Sequence, residues 1–118
     1  MSKKMSWKKS SPELIARFDE ALPPDPRVER RQMFGYPCAF TNGNMFTGLH
    51  QDKLFVRLAE KERGELLRRA GARPFEPMPG RPMAEYVVVP DSLPRQQLAK
   101  WIAAALEYAS ALPAKKKK

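Results

Sequence analysis

The dipeptide Asn42-Gly43 does most to limit what this chain can fold into. It separates "MFGYPCAF" from "NMFTGLH", two runs rich in aromatic and apolar residues. A two-residue hairpin turn of type I′ needs positive φ at both positions, and Asn-Gly is the pair that supplies it most readily. The dipeptide therefore predicts an antiparallel hairpin of strands near Met33–Phe40 and Asn44–His50. Gln51-Asp52 gives a second turn, and "KLFVRL" a third strand near Lys53–Leu58. Three consecutive antiparallel strands form a meander, which must bury at least one face.

Helical periodicity supplies the cover. "SSPELIARFDEAL" places Leu14, Ile15, Phe18, Ala21 and Leu22 on one face. Ser10 and Glu13 have capping-box spacing, and Pro12 suits a first turn. The prolines from Pro23 to Pro26 end that helix, and "RVERRQ" has room for one short turn. "AEKERGELLRRAG" predicts a second helix with Leu66, Leu67 and Ala70 inward and Gly71 at C′. "RPFEPMPGRPM" carries four prolines, so an irregular connection is expected, with an edge strand near Pro74–Glu76. "MAEYVVVP" reads as a strand over Met83–Val89, its three valines pointing to burial on both faces. The last helix is capped by Asp91 or Ser92, with Pro94 in its first turn. Leu98, Ile102, Ala105, Leu106, Ala109 and Leu112 form its buried stripe, flanked by Trp101. The expected class is α+β, one antiparallel sheet packed with helices in the order α-β(3)-α-β(1–2)-α.

Charge is distributed unevenly. The formal net charge is +9, but Lys3, Lys4, Lys8 and Lys9 precede residue 10, and Lys115, Lys116, Lys117 and Lys118 close the chain. Without those eight lysines, 14 basic residues stand against 13 acidic ones. A single domain over 10–114 with lysine-rich flexible tails at 1–9 and 115–118 is expected. Such tails attract polyanions without reading sequence, and the association weakens with salt. No apolar run is long enough for a membrane span, and no secretory signal is legible. A cytoplasmic location is the expectation.

Candidate sites are few. Cys38 and His50 are the only cysteine and the only histidine. A two-residue turn sets Cys38 opposite Thr47 and His50 opposite Gly35, on opposite faces of the sheet. A three-residue loop would shift the register by one and place them on one face, so register decides the matter. Cys38 is expected to be a small buried hydrophobe rather than a nucleophile. One cysteine and one histidine make no metal site by themselves, so no catalytic residue, metal or cofactor is assigned. Gly80 and Arg81 in "MPGRPM" could hold an anion or a partner; the alternative is a turn in which Arg81 pairs with Glu76 or Glu85. The strand aromatics Phe34, Tyr36, Phe40, Phe46 and Phe55 invite comparison with base-stacking platforms, with core as the expected role. Phe46 and Phe55, if exposed together, would form a homodimer patch.

Several segments together resemble the N-terminal domain of the bacterial TfoX/Sxy family. They are "RRQMFGYPCAFTNGNMFTGL", "LFVRL", "ARPFEPMPGRPMAEYVVVP" and the alanine-rich last helix. The resemblance spans about Leu14 to Leu112. It implies a secretion-chaperone-like α-β(3)-α-β(2)-α fold. It also implies a regulatory, non-enzymatic binding module whose partners belong to the transcription machinery. The family's best-known members regulate natural competence with the cyclic-AMP receptor protein and carry a second, helical domain. This chain is expected to be a stand-alone N-terminal domain. The alternatives are non-specific nucleic-acid association through the lysine tails, and a small enzyme or ligand binder using Cys38 or the Arg81 loop.

Overall fold

The computed structural model describes residues 10–33, 35–69, 71–76, 80, 83–90 and 93–113. Helix α1 (Pro12–Ala21) is followed by strands β1 (Glu29–Met33), β2 (Tyr36–Thr41), β3 (Asn44–His50) and β4 (Lys53–Arg57). Helix α2 (Glu60–Leu67), strands β5 (Arg73–Pro74) and β6 (Tyr86–Val88), and helix α3 (Arg95–Ser110) complete the chain. One antiparallel sheet runs in the order β1-β2-β3-β4-β6-β5. The class is α+β as expected, with one strand more than expected. "ERRQM" is not a turn but an edge strand, and the run expected as Met33–Phe40 is divided by Gly35 at φ 83°. Its charged side chains hide it from a reading based on apolar alternation, and charge on an edge strand discourages pairing with other chains.

Asn42 and Gly43 have φ 54° and 78°, as a type I′ turn requires, and Thr41 pairs with Asn44 beside it. The hairpin tip is tied down, for the Asn42 amide donates to the Ser110 carbonyl and that of Asn44 to the Pro113 carbonyl. The buried sides of all three helices meet one face of the sheet. Phe18 of α1, Leu66 of α2 and Leu98, Ile102 and Leu106 of α3 pack there against Ala39, Phe46, Val56 and Val87. Each of the larger of these fully buried side chains contributes roughly 1.5–3 kcal/mol.

Some boundaries move. Ser11 caps α1, accepting from the Leu14 amide at 3.1 Å, while the Ser10 hydroxyl donates to the Gln51 carbonyl. The expected box of Ser10 and Glu13 is therefore absent, because the cap lies one residue later. Helix α2 ends at Leu67, which is 37% exposed, so Leu66 alone of that pair faces inward; Ala70 lies outside the described residues. With Arg68 as C-cap, Gly71 is not the C′ residue, although its φ of 90° is left-handed. Pro94 is the N-cap of α3 rather than a first-turn residue, and Asp91 and Ser92 lie outside the described residues.

Val87 and Val88 are buried on opposite faces, Val87 under the helices and Val88 beneath a second cluster with Phe55, Phe75 and Tyr86. That second cluster belongs to the side of the sheet that carries no helix among the described residues.

Candidate site on the open face of the sheet

The register of the central hairpin determines what this side presents. Phe40 pairs with Met45, but Ala39 pairs with Thr47, so Phe46 is an extra residue in β3. Such a bulge sets two residues against one and shifts everything beyond it. Cys38 consequently faces Gly48 instead of Thr47. The turn has two residues, as expected, yet the bulge puts Cys38 and His50 on the same face. The expected separation of these two residues is corrected on that ground. The physical cause is that Phe46 turns fully inward, with 0% exposure, to fill the core under the helices.

Pairing then aligns a row across the sheet. Gly48 faces Phe55, Phe55 faces Val88, and Arg57 faces Tyr86. A pocket of about 390 Å³ opens over this row. Its wall is an arc of ring contacts, Tyr36 to His50 at 5.4 Å, His50 to Phe75 at 5.5 Å, Phe75 stacked on Phe55 at 4.3 Å, and Phe55 edge-on to Tyr86 at 5.6 Å. The Met33, Met45 and Met83 side chains also line it, and Cys38 lies at its floor. Gly48 leaves the room: a Cβ there would sit 2.9 Å from the Phe55 ring and 3.0 Å from Cys38 Cβ.

The charged end of the pocket is Arg57. Its Nε donates to Glu85 Oε1 at 2.8 Å, and its guanidinium lies 5.6 Å from the Tyr86 ring centroid and 6.0 Å from that of Tyr108. Glu85 holds φ 77°, an uncommon value for a residue with a side chain, at the turn that presents its carboxylate to Arg57. Burial pushes the Glu85 carboxyl upward, but hydrogen bonds from Arg57 and Tyr108 leave it below its ordinary value. Glu85, named with Glu76 as a carboxylate that Arg81 could pair with, pairs with Arg57, and Arg81 lies outside the described residues. The Tyr86 hydroxyl donates to the Met45 carbonyl at 2.9 Å, and burial pushes its pKa above the ordinary tyrosine value, making it a weaker acid.

Neither reactive side chain is set up for nucleophilic work. Burial raises the Cys38 thiol above its ordinary value, against the smaller opposing pull of Arg30 and Arg31. Burial, and then Lys53, lower His50. Cys38 is 2% exposed, matching the expectation of a buried small hydrophobe. Among the described residues, no group of three or more His, Cys, Asp or Glu could hold a metal ion.

Other expected sites separate. Phe46 and Phe55 lie on opposite faces and are 0% and 4% exposed, so they form no exposed patch. Of the strand aromatics compared with a base-stacking platform, Tyr36, Phe46 and Phe55 are buried, and Phe40 is half-buried with the Arg31 guanidinium over its ring. Gly80 is exposed at φ 77°, as a turn glycine should be; Arg81, Phe34 and the lysines of both tails lie outside the described residues. No helix among the described residues is long and apolar enough to cross a membrane. The residues missed from sequence were Arg57, Phe75, Tyr86 and the three methionines. "KLFVRL" held a signal for one of them, since alternation sets Phe55 and Arg57 on one face against Leu54, Val56 and Leu58.

Comparison with known proteins gives one result. The family model described as the TfoX N-terminal domain matches residues 20–109. No curated protein and no solved structure gives a significant match.

Proposed function

The chain belongs to the TfoX N-terminal domain family, and from that premise we propose that it is a non-catalytic binding module with a regulatory role, working through the open face of its sheet. The observation that carries this reading is the pocket itself: a concave apolar cavity on the one side of the sheet that the helices leave uncovered. Large, well-formed apolar pockets with a few polar groups at the edge are where proteins bind. The groups with chemical potential inside it are a thiol held protonated by burial and an imidazole packed between Tyr36 and Phe75. General acid–base or nucleophilic catalysis needs such groups paired and tuned toward the working pH. The partner class that the family suggests is the transcription machinery, and the compartment is the cytoplasm.

The test is complementation. In a strain of cells lacking the gene, transcript profiles are compared after restoring the wild type, a Cys38→Ala/His50→Phe double variant, which removes the thiol and the imidazole but keeps an apolar floor and a ring between Tyr36 and Phe75, and Met45→Trp, which fills the pocket. The reading expects the double variant to restore the wild-type profile and Met45→Trp, verified as folded, to fail. Failure of a folded double variant, with Met45→Trp active, would replace binding by chemistry at Cys38 or His50.

A further inference from the structure

We propose that the pocket takes a small amphipathic anion, a flat apolar body enclosed by the ring arc with a carboxylate or similar group at Arg57. This rests on the reading that the open face is the binding surface.

Three features of the cavity fix the ligand's chemistry. Its volume of about 390 Å³ falls within the range of small-molecule sites, roughly 300–1,000 Å³. Its walls are rings and thioethers; aromatic edges and faces complement a flat ring system, and methionine adapts to irregular shapes. Its polar groups are already engaged or confined to one end. The Tyr86 hydroxyl is committed to Met45, and among the described residues every buried side-chain nitrogen and oxygen has a hydrogen-bond partner. A peptide backbone laid along this floor would find only Asn44, His50 and Arg57 to meet its N–H and C=O groups, each of which must be paired when buried. An apolar body with its polarity gathered at one terminus meets no such cost.

The sign of that terminus follows from the lining. Among the described lining residues Arg57 is the one fixed cation, and no carboxylate lines the cavity. Glu85 sits behind Arg57, takes its Nε, and holds the guanidinium against the Tyr86 ring. The Nη donors make no other ion pair among the described residues. A guanidinium braced through Nε by Glu85, with no second ion pair among the described residues, is suited to receive a carboxylate through charge-assisted hydrogen bonds. An amine at the same place would meet like charge.

The experiment uses the full chain and three isosteric probes: 2-naphthoate, 2-naphthalenemethanol and 2-naphthylmethylamine. Affinity is read by calorimetry, and location by the methyl NMR signals of Met33, Met45 and Met83, which line the pocket. The expected result is that 2-naphthoate binds at least about tenfold more tightly than the alcohol, a difference of one charge-assisted contact. It also shifts those three methyl signals, and the amine does neither. Arg57→Gln should lower naphthoate affinity to that of the alcohol while leaving the alcohol unchanged, which also shows that the variant is folded. Equal binding of acid and alcohol to wild type would overturn the anionic assignment and favour an apolar side chain of a protein as occupant. Binding that leaves the three methyl signals unchanged would overturn the location. If none of the probes binds while Met45→Trp still abolishes complementation, the ligand class fails and the binding-module reading stands.

Discussion

Gly48 lies under the ring of Phe55 with no room for a side chain: an added Cβ would come within 2.9 Å of Phe55 Cζ and 3.0 Å of Cys38 Cβ. The missing side chain is thus what lets the Phe55 ring close over the strand beside Cys38. Gly48→Ala should destabilise the protein by about 1–3 kcal/mol, the range for overpacking a filled site. It should also reduce naphthoate binding, because Phe55 can move only into the cavity or into Phe75. Gly64 in α2 has nothing within 4 Å of an added Cβ. Gly64→Ala should stabilise by about 0.5–1 kcal/mol through helix propensity alone. Urea unfolding of the two variants checks the pair.

Helix α2 gives a sharper contrast between neighbours. Leu66 is fully buried among residues of the main core, whereas Leu67 is 37% exposed. Leu66→Ala should cost about 2–5 kcal/mol. Leu67→Ala should stay within about 0.5 kcal/mol. Equal losses at the two positions, again from urea midpoints, would mean that the helix is rotated from the orientation described.

His50 makes stability depend on pH. Burial lowers its folded value below the ordinary 6.5, with Lys53 adding to the shift. The unfolded chain therefore binds the proton first, and stability declines as pH falls below about 6.5 toward the folded value. Asp25, which the hydrogen bond from Arg27 holds at about 2, does not titrate in that interval. His50→Phe keeps a ring between Tyr36 and Phe75 and should remove the decline between pH 7.5 and 5.5. An unchanged decline in that variant, measured by thermal unfolding, would assign it to other groups.

How much of this was legible depends on whether the cause was local. Asn42-Gly43 specified its turn because positive φ is a property of two residues. The inward stripe of α3 was legible because Leu98, Ile102, Ala105, Leu106 and Ala109 repeat at helical spacing. The bulge at Phe46 was not, since it arises from how a large ring fits beneath α3 rather than from any local preference. With it went the face of Cys38. Strand β1 was hidden because "ERRQM" is an edge strand, where charge replaces apolar alternation. Phe75 stood in a proline-rich connector, and only the pairing of β5 with β6 brings it over Phe55. The cap at Ser11 differs from the expected Ser10 because adjacent serines are equivalent in sequence and are distinguished only by the bond to Leu14.

The lysine-rich ends give a prediction of their own. The rest of the chain is close to neutral, so any retention on DNA should come from these lysines. It should fall steeply with salt, with a log–log slope of roughly −0.7 to −0.9 per phosphate neutralised. Deleting residues 1–9 and 115–118 should abolish it, as filter binding at 50 and 200 mM salt would show. Binding that survived the deletion would require a site on the folded body.

The central claim, that the open sheet face is the working surface, is tested most directly by methyl NMR of the protein labelled at its methionines. Met33, Met45 and Met83 line the pocket, while the indole of Trp101 reports on α3. A partner captured from the native cell and identified is titrated into the labelled protein. The account predicts that the methyl signals of Met33, Met45 and Met83 shift and gain intermolecular contacts while the Trp101 indole signal stays in place. A partner that moves the Trp101 signal and leaves those three methyl groups unchanged would contradict it.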